Sequence, residues 1–130
     1  MAYCTTAQVK EYIGKSEADD DALIGRLIVD AQQAIDTHCG RTFEAAADTT
    51  RHFSVACDVS NRTLWLDTDL AEITTVTNNA DATTPEVIAS TDYTTRPRNM
   101  TPYHGITIKA SSSLYWTYAN DPDDGIEVTG

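Results

Sequence analysis

Two hydrophobic periods divide the chain. From Ala22 to Cys39, apolar residues fall at positions 23, 24, 27, 28, 31, 34 and 35. That i, i+3, i+4, i+7 spacing marks one face of an α-helix. Acids crowd its start (Glu17, Asp19, Asp20, Asp21), where carboxylates cap free N–H groups and favour the positive end of the helix dipole. Gly40 is placed as its C-terminal stop. Gly25 within it either weakens the helix by about 1 kcal/mol relative to Ala or lets another backbone approach. A shorter helix is predicted over Ala7 to Ile13, capped by Thr5 or Thr6 and stopped by Gly14.

After Ala45-Ala46-Ala47 the period shortens to two. Phe53, Val55 and Cys57 alternate with polar or small residues, Leu64 and Leu66 flank Trp65, and Ile106 and Ile108 alternate with Thr107 and Lys109. Leu114, Trp116 and Tyr118 form another such set, and Ile126 and Val128 a last one. Each predicts a short half-buried strand. The stretch from Ile73 to Asn78 also suits a strand, but Ile73 and Val76 are three apart and share a face only across a bulge. Asn78-Asn79-Ala-Asp81 and Asp121-Pro-Asp-Asp-Gly125 carry turn chemistry, and Pro97 and Pro102 bracket an irregular segment. Helices segregated from strands predict an α+β fold: a helical arm over 1–44 and a compact antiparallel β unit over 45–130, together one domain. The long helix is expected to lay its apolar face on the sheet or on a neighbouring subunit.

The chain has 130 residues, of which 41% are hydrophobic and 22% charged, as in an ordinary globular protein. No apolar run approaches the roughly 20 residues of a membrane span, and no secretory signal is visible at the N-terminus. Three cysteines (Cys4, Cys39, Cys57) allow no scheme that pairs them all, and are read as reduced thiols in a protein assembled in a cytosol.

Motifs for chemistry are absent at the spacings that chemistry needs. His38, Cys39, His52 and Cys57 lie close in sequence, but adjacent His38 and Cys39 grip one metal poorly. They also point about 100 degrees apart on a helix, which defeats a Cys–His dyad. Asn120 to Gly125 faintly echoes a calcium loop, yet the third loop position is Pro122, which has no side-chain oxygen. There is no G-x-S-x-G and no glycine-rich phosphate loop. No catalytic residue, metal site or cofactor is expected.

Charge is more informative. Twenty acidic residues against nine basic ones give −11. Residues 17–36 hold six acids and only Arg26 as a base, and residues 121–130 hold four acids and no base. Such a chain repels phosphate backbones and does not suit a free DNA binder. It suits a surface that meets a basic partner, or a wall along which DNA slides without binding.

The run Asp21-Ala-Leu23-Ile24-Gly-Arg-Leu27-Ile28-Val-Asp-Ala31-Gln-Gln-Ala34-Ile35-Asp36-Thr-His-Cys39-Gly40-Arg41-Thr42-Phe43 resembles the signature of tailed-phage head–tail connector proteins. These are also called adaptor or head-completion proteins and occur in prophages and gene transfer agents. Leu64-Trp65-Leu66-Asp67, Ile73-Thr-Thr-Val76-Thr77, Asp92-Tyr93 followed by Pro97, and Ile126-Glu-Val128-Thr129-Gly130 resemble the β part of members with a sheet insertion. The resemblance implies a structural virion protein without catalysis or cofactor. It implies a homo-oligomeric ring, commonly a dodecamer, that docks below the portal protein and extends the DNA channel. It also implies a surface for a downstream neck, stopper or tail protein, with genomic DNA passing unbound and no membrane involved. Members usually continue beyond the Val-Thr-Gly stretch into helical sequence, part of which docks into the portal, whereas the sequence here stops at Gly130.

Leu23, Leu27, Ile28, Ala31, Ile35, Gly40, Arg41 and Phe43 are the residues that match the family motif. Arg41 is expected to bond carbonyls at the helix end, and Phe43 to anchor the return to the sheet. A closed ring needs head-to-tail contacts through two different faces. The long helix is expected to supply one, through Arg26 and Asp30, with Asp19, Asp20 and Asp21 as further partner-facing residues. An alternative from another class is an acidic DNA-mimic inhibitor that binds a basic nucleic-acid enzyme.

Overall fold

A computed structural model describes residues 2–130. Two helices at the N-terminus precede two antiparallel β-sheets, an α+β fold. The chain divides into two compact units, one ending at Ala46 and the other spanning Ala47–Gly130.

In the first unit, α1 (Thr6–Ile13) begins with a capping box. Thr5 Oγ1 accepts from the Gln8 backbone N–H at 3.2 Å, and Gln8 Oε1 accepts from the Thr5 N–H at 2.8 Å. This reciprocal pair satisfies two amides that a helix start leaves without partners. Gly14 ends α1 at φ 72°, a conformation an L side chain resists. Helix α2 (Asp21–Cys39) ends the same way at Gly40, φ 64°, whose N–H donates to the Asp36 carbonyl.

The acids before α2 behave differently from expectation. Asp20 occupies the N-cap position but makes no side-chain cap bond. Its carboxylate accepts from the Lys15 ammonium instead, and Asp21 accepts from Lys10 at 2.8 Å. An ammonium donor makes a stronger, charge-assisted bond than a backbone amide, so the lysines win the carboxylates.

The second unit carries eight strands: β1 (Thr50–Phe53), β2 (Val59–Ser60), β3 (Thr63–Leu70), β4 (Thr75–Asn78), β5 (Glu86–Val87), β6 (Tyr93–Arg96), β7 (Tyr103–Ile108) and β8 (Ile126–Thr129). One sheet runs β1-β8-β4-β5 and the other β2-β3-β7-β6, with every pairing antiparallel. Both feed one core: Phe53, Val76, Ile126 and Val128 from the first sheet, Leu64, Leu70, Ile106 and Ile108 from the second, with Ile88 and Trp116 from connecting segments. Arg51 on β1 reaches Asp67 on β3 at 3.2 Å and ties the sheets at an exposed rim.

Three strand expectations change. Val55 and Cys57 leave the strand after Phe53 and enter a turn over 55–58. Asp58 accepts the Ser54 N–H at 2.7 Å, while Ser54 Oγ accepts those of Ala56 and Cys57 at 3.2 and 3.3 Å. Short polar side chains thus outcompete a ladder for the backbone. Second, β4 begins only at Thr75, so Ile73 packs on the core from the preceding loop and no bulge is required. Third, Leu114, Trp116 and Tyr118 form no strand. Trp116 is buried and Leu114 packs on the core, but side chains rather than a neighbouring strand hold this segment. The Trp116 indole donates to the Arg62 carbonyl at 2.9 Å, and Asn78 bonds the backbone of Tyr115 and Thr117.

The acidic Asp121–Gly125 turn contains a 3-10 turn at Pro122–Asp124, capped by Asp121. Gly125 is required there, because a Cβ would lie 2.7 Å from Val55 Cγ2 and 2.8 Å from Tyr118 Cβ. Beside this turn Asp81 accepts from three successive backbone N–H groups, of Ala119, Asn120 and Asp121, at 2.7, 2.5 and 2.7 Å. Those amides hold its carboxyl below the usual carboxylate range.

Candidate functional site

Helix α2 carries most of the candidate residues. Of its seven apolar positions, only Ile24 and Ile28 are buried. Leu23 and Leu27 are 57% and 56% exposed, and Ala31, Ala34 and Ile35 are exposed with them. Steps of three and four put Leu23, Leu27, Ala31 and Ala34 on one stripe. Arg26 and Asp30, both exposed, run along its edge one turn apart. One side of α2 is thus buried at Ile24 and Ile28, while a second apolar stripe of the same helix is exposed.

The acids at the head of α2 split into two groups. Asp20 and Asp21 are engaged by Lys15 and Lys10, and the Lys15 hydrogen bond, with its charge, pulls the Asp20 carboxyl below its ordinary pKa. Glu17 and Asp19 are exposed ahead of them.

The Gly40-Arg41-Thr42-Phe43 motif builds a corner at the end of α2. The Tyr3 hydroxyl donates to Asp36 and accepts the Phe43 N–H at 2.7 Å. The Tyr3 and Phe43 rings meet edge to face at 6.2 Å, and the Arg41 guanidinium lies 5.1 Å from the Phe43 ring centre. Phe43 is 55% exposed. Its observed contacts, with Tyr3 and Arg41, close the helix end within its own unit. Desolvation, reinforced by the bond to Asp36, raises the Tyr3 hydroxyl above its ordinary pKa.

One cluster has no motif in the sequence to mark it. On the outer face of the second sheet, Trp65 pairs across β7 with Gly105, and Gly105 pairs in turn with Arg96 on β6. A Cβ on Gly105 would lie 3.2 Å from the Trp65 ring and 3.3 Å from Arg96 Cβ, so the two side chains flank the glycine closely. His104 stacks on Trp65, centroids 5.9 Å apart and planes 7° apart. The available signal was charge: no acidic residue occurs between Asp92 and Asp121, a stretch that holds Arg96, Arg98, His104 and Lys109.

Among the described residues no group of His, Cys, Asp and Glu side chains is placed to hold a metal. No helix of the described chain is long and apolar enough to cross a membrane. Cys4, Cys39 and Cys57 are all free thiols. Compared with known protein families, with curated proteins and with solved structures, the chain matches none.

Proposed function

We propose that the chain is a head–tail connector subunit of a tailed phage, assembling as a ring below the portal vertex. The observation that carries this reading is the outward apolar stripe of α2, edged by Arg26 and Asp30. A lone globular subunit gains nothing from leaving Leu23 and Leu27 in water, whereas a subunit with lateral neighbours buries them. The small residues Ala31 and Ala34 on the same stripe let a neighbouring backbone come close. The acidic balance supports the reading from another side. A net charge of −11, repeated around a ring, turns phosphate away and leaves a bore through which genome slides without adhering. The resemblance of the α2 sequence to connector signatures supplies the portal above and a neck or tail protein below as the partners.

Light scattering on the chain alone and mixed with portal protein tests this, together with imaging of intact particles. The reading expects a multi-copy ring on the portal and density for the chain at the capsid vertex. A one-to-one complex with a basic nucleic-acid enzyme, and no copies in particles, would establish the DNA-mimic alternative in its place.

A further inference from the structure

The ring reading leaves open which surface receives the acidic helix. We propose that the Trp65–Arg96 face of the second sheet is that surface, and that its occupant is the acidic, apolar-striped first half of α2 from a second copy of this chain. This inference rests on the ring reading above and names its second lateral face.

Four observations converge on it. First, strands β6 and β7, which carry Arg96 and Gly105, lie in a stretch of bases without an acid, residues 93–120, while Asp67 on β3, two residues from Trp65, is already met by Arg51. Second, neither Arg96 nor Arg98 near it in sequence has an acidic partner among the described residues. Arg96 donates only to Thr107 Oγ1 at 3.2 Å, and exposed Arg98 two residues on has no hydrogen bond or ion pair among the described residues. By contrast Lys10, Lys15 and Arg51 are each met by an aspartate. Third, Trp65 is 47% exposed, lies against Gly105 and is stacked on His104. A flat aromatic held in one orientation beside Arg96 belongs to the residue set that dominates interface anchors.

Fourth, the complementary surface is present on the same chain. Glu17, Asp19 and Asp30 are exposed and have no charged partner among the described residues. Leu23 and Leu27 lie exposed between them in sequence. An acidic ridge with leucines fits a basic face with a tryptophan, in sign and in polarity alike. The two surfaces lie on different elements, so their union is head-to-tail, the contact type that closes a ring. Nucleic acid is the less favoured occupant, since the chain's overall charge opposes any approaching phosphate backbone.

The test is a charge exchange in the full chain. Sedimentation equilibrium of the wild type, from roughly 10 μM to 1 mM, is expected to show self-association that weakens as salt rises. R96E/R98E, and separately E17K/D19K/D30K, should each weaken it about tenfold or more. Mixing the two variants should restore assembly, because each normal surface then meets a normal one and each reversed surface a reversed one. Circular dichroism and urea midpoints verify folding, and Arg96→Gln with Arg98→Gln serves if the reversed pair unfolds. Trp65→Ala should weaken association without changing its salt slope. The inference falls if the wild type stays monomeric throughout, if R96E/R98E associates like wild type, or if the mixture does not recover. It falls too if a labelled single-stranded oligonucleotide binds wild type and is lost in R96E/R98E. Association that survives R96E/R98E removes this face but leaves the ring reading standing. Absence of the chain from particles removes the ring reading itself.

Discussion

Asn78 Oδ1 accepts the backbone N–H of Thr117 at 2.9 Å from a fully buried position on β4. Its Nδ2 donates to the Tyr115 carbonyl at 2.7 Å. One amide side chain thus does for residues 115–117 what a partner strand does elsewhere. Asn78→Ala leaves a buried donor and acceptor unpaired and opens a small void, a loss of about 2–4 kcal/mol. Urea unfolding followed by tryptophan fluorescence should show a lower midpoint and an unfolding free energy reduced by that amount.

Arg62 offers a test in which strain and bonding oppose each other. Asn61 and Arg62 form the two-residue turn between β2 and β3, both at positive φ (49° and 69°). Glycine is the usual second residue of such a turn. Arg62 stays there with its guanidinium within 3.3 Å of the carbonyls of Ile108, Lys109, Ser112 and Leu114, and 4.8 Å from the Tyr115 ring centre. Arg62→Gly relieves about 1–2 kcal/mol of backbone strain. It should nonetheless lower stability by a net ~1–3 kcal/mol, since it frees the 108–115 segment. A gain in urea midpoint would show that the turn, not the clamp, dominates.

Asp81 makes stability depend on pH. The N–H groups of Ala119, Asp121 and Asn120 depress its folded pKa below the unfolded value. Its contribution is therefore present above the unfolded carboxyl pKa, near 3.9, and is lost as pH falls through the lower folded value. Asp81→Asn should be less stable than wild type at pH 7. The gap between their urea midpoints should narrow steadily below about pH 4. A gap of constant size down to pH 2 would contradict this.

Neighbouring residues of α2 should respond in opposite ways. Ile24→Ala removes a buried side chain and should cost about 2–4 kcal/mol. Leu27→Gln changes an exposed one and should leave monomer stability within about 0.5 kcal/mol. Light scattering at high concentration should show Leu27→Gln with the weaker self-association of the two folded proteins.

Much of the fold was legible in residue order. The α2 period, Gly14 and Gly40 as stops, a threonine cap at Thr5 or Thr6 (Thr5 in the structure), and the Ile106/Ile108 and Ile126/Val128 alternations all reflect interactions within a few residues. Some differences came from near neighbours, as where Ser54 and Asp58 turn Val55 and Cys57 out of the strand, and others from a distant partner. Leu114, Trp116 and Tyr118 alternate like a strand, yet Asn78 takes the backbone of the intervening Tyr115 and Thr117, 37 and 39 residues away. Asp20 is a good cap by composition, but Lys15 takes its carboxylate across the connector.

The candidate surfaces divide the same way. Sequence alone determined that α2 carries an apolar face, an acidic start and the Arg26–Asp30 edge, because helical geometry projects a linear pattern directly onto a surface. It could not say that Leu23 and Leu27 face outward while Ile24 and Ile28 are buried, since burial depends on what packs against each side. Nor could it place Trp65 beside Arg96, 31 positions on. Strand register across Gly105 decided that, and register is set by the shared core of both sheets rather than by neighbours along the chain.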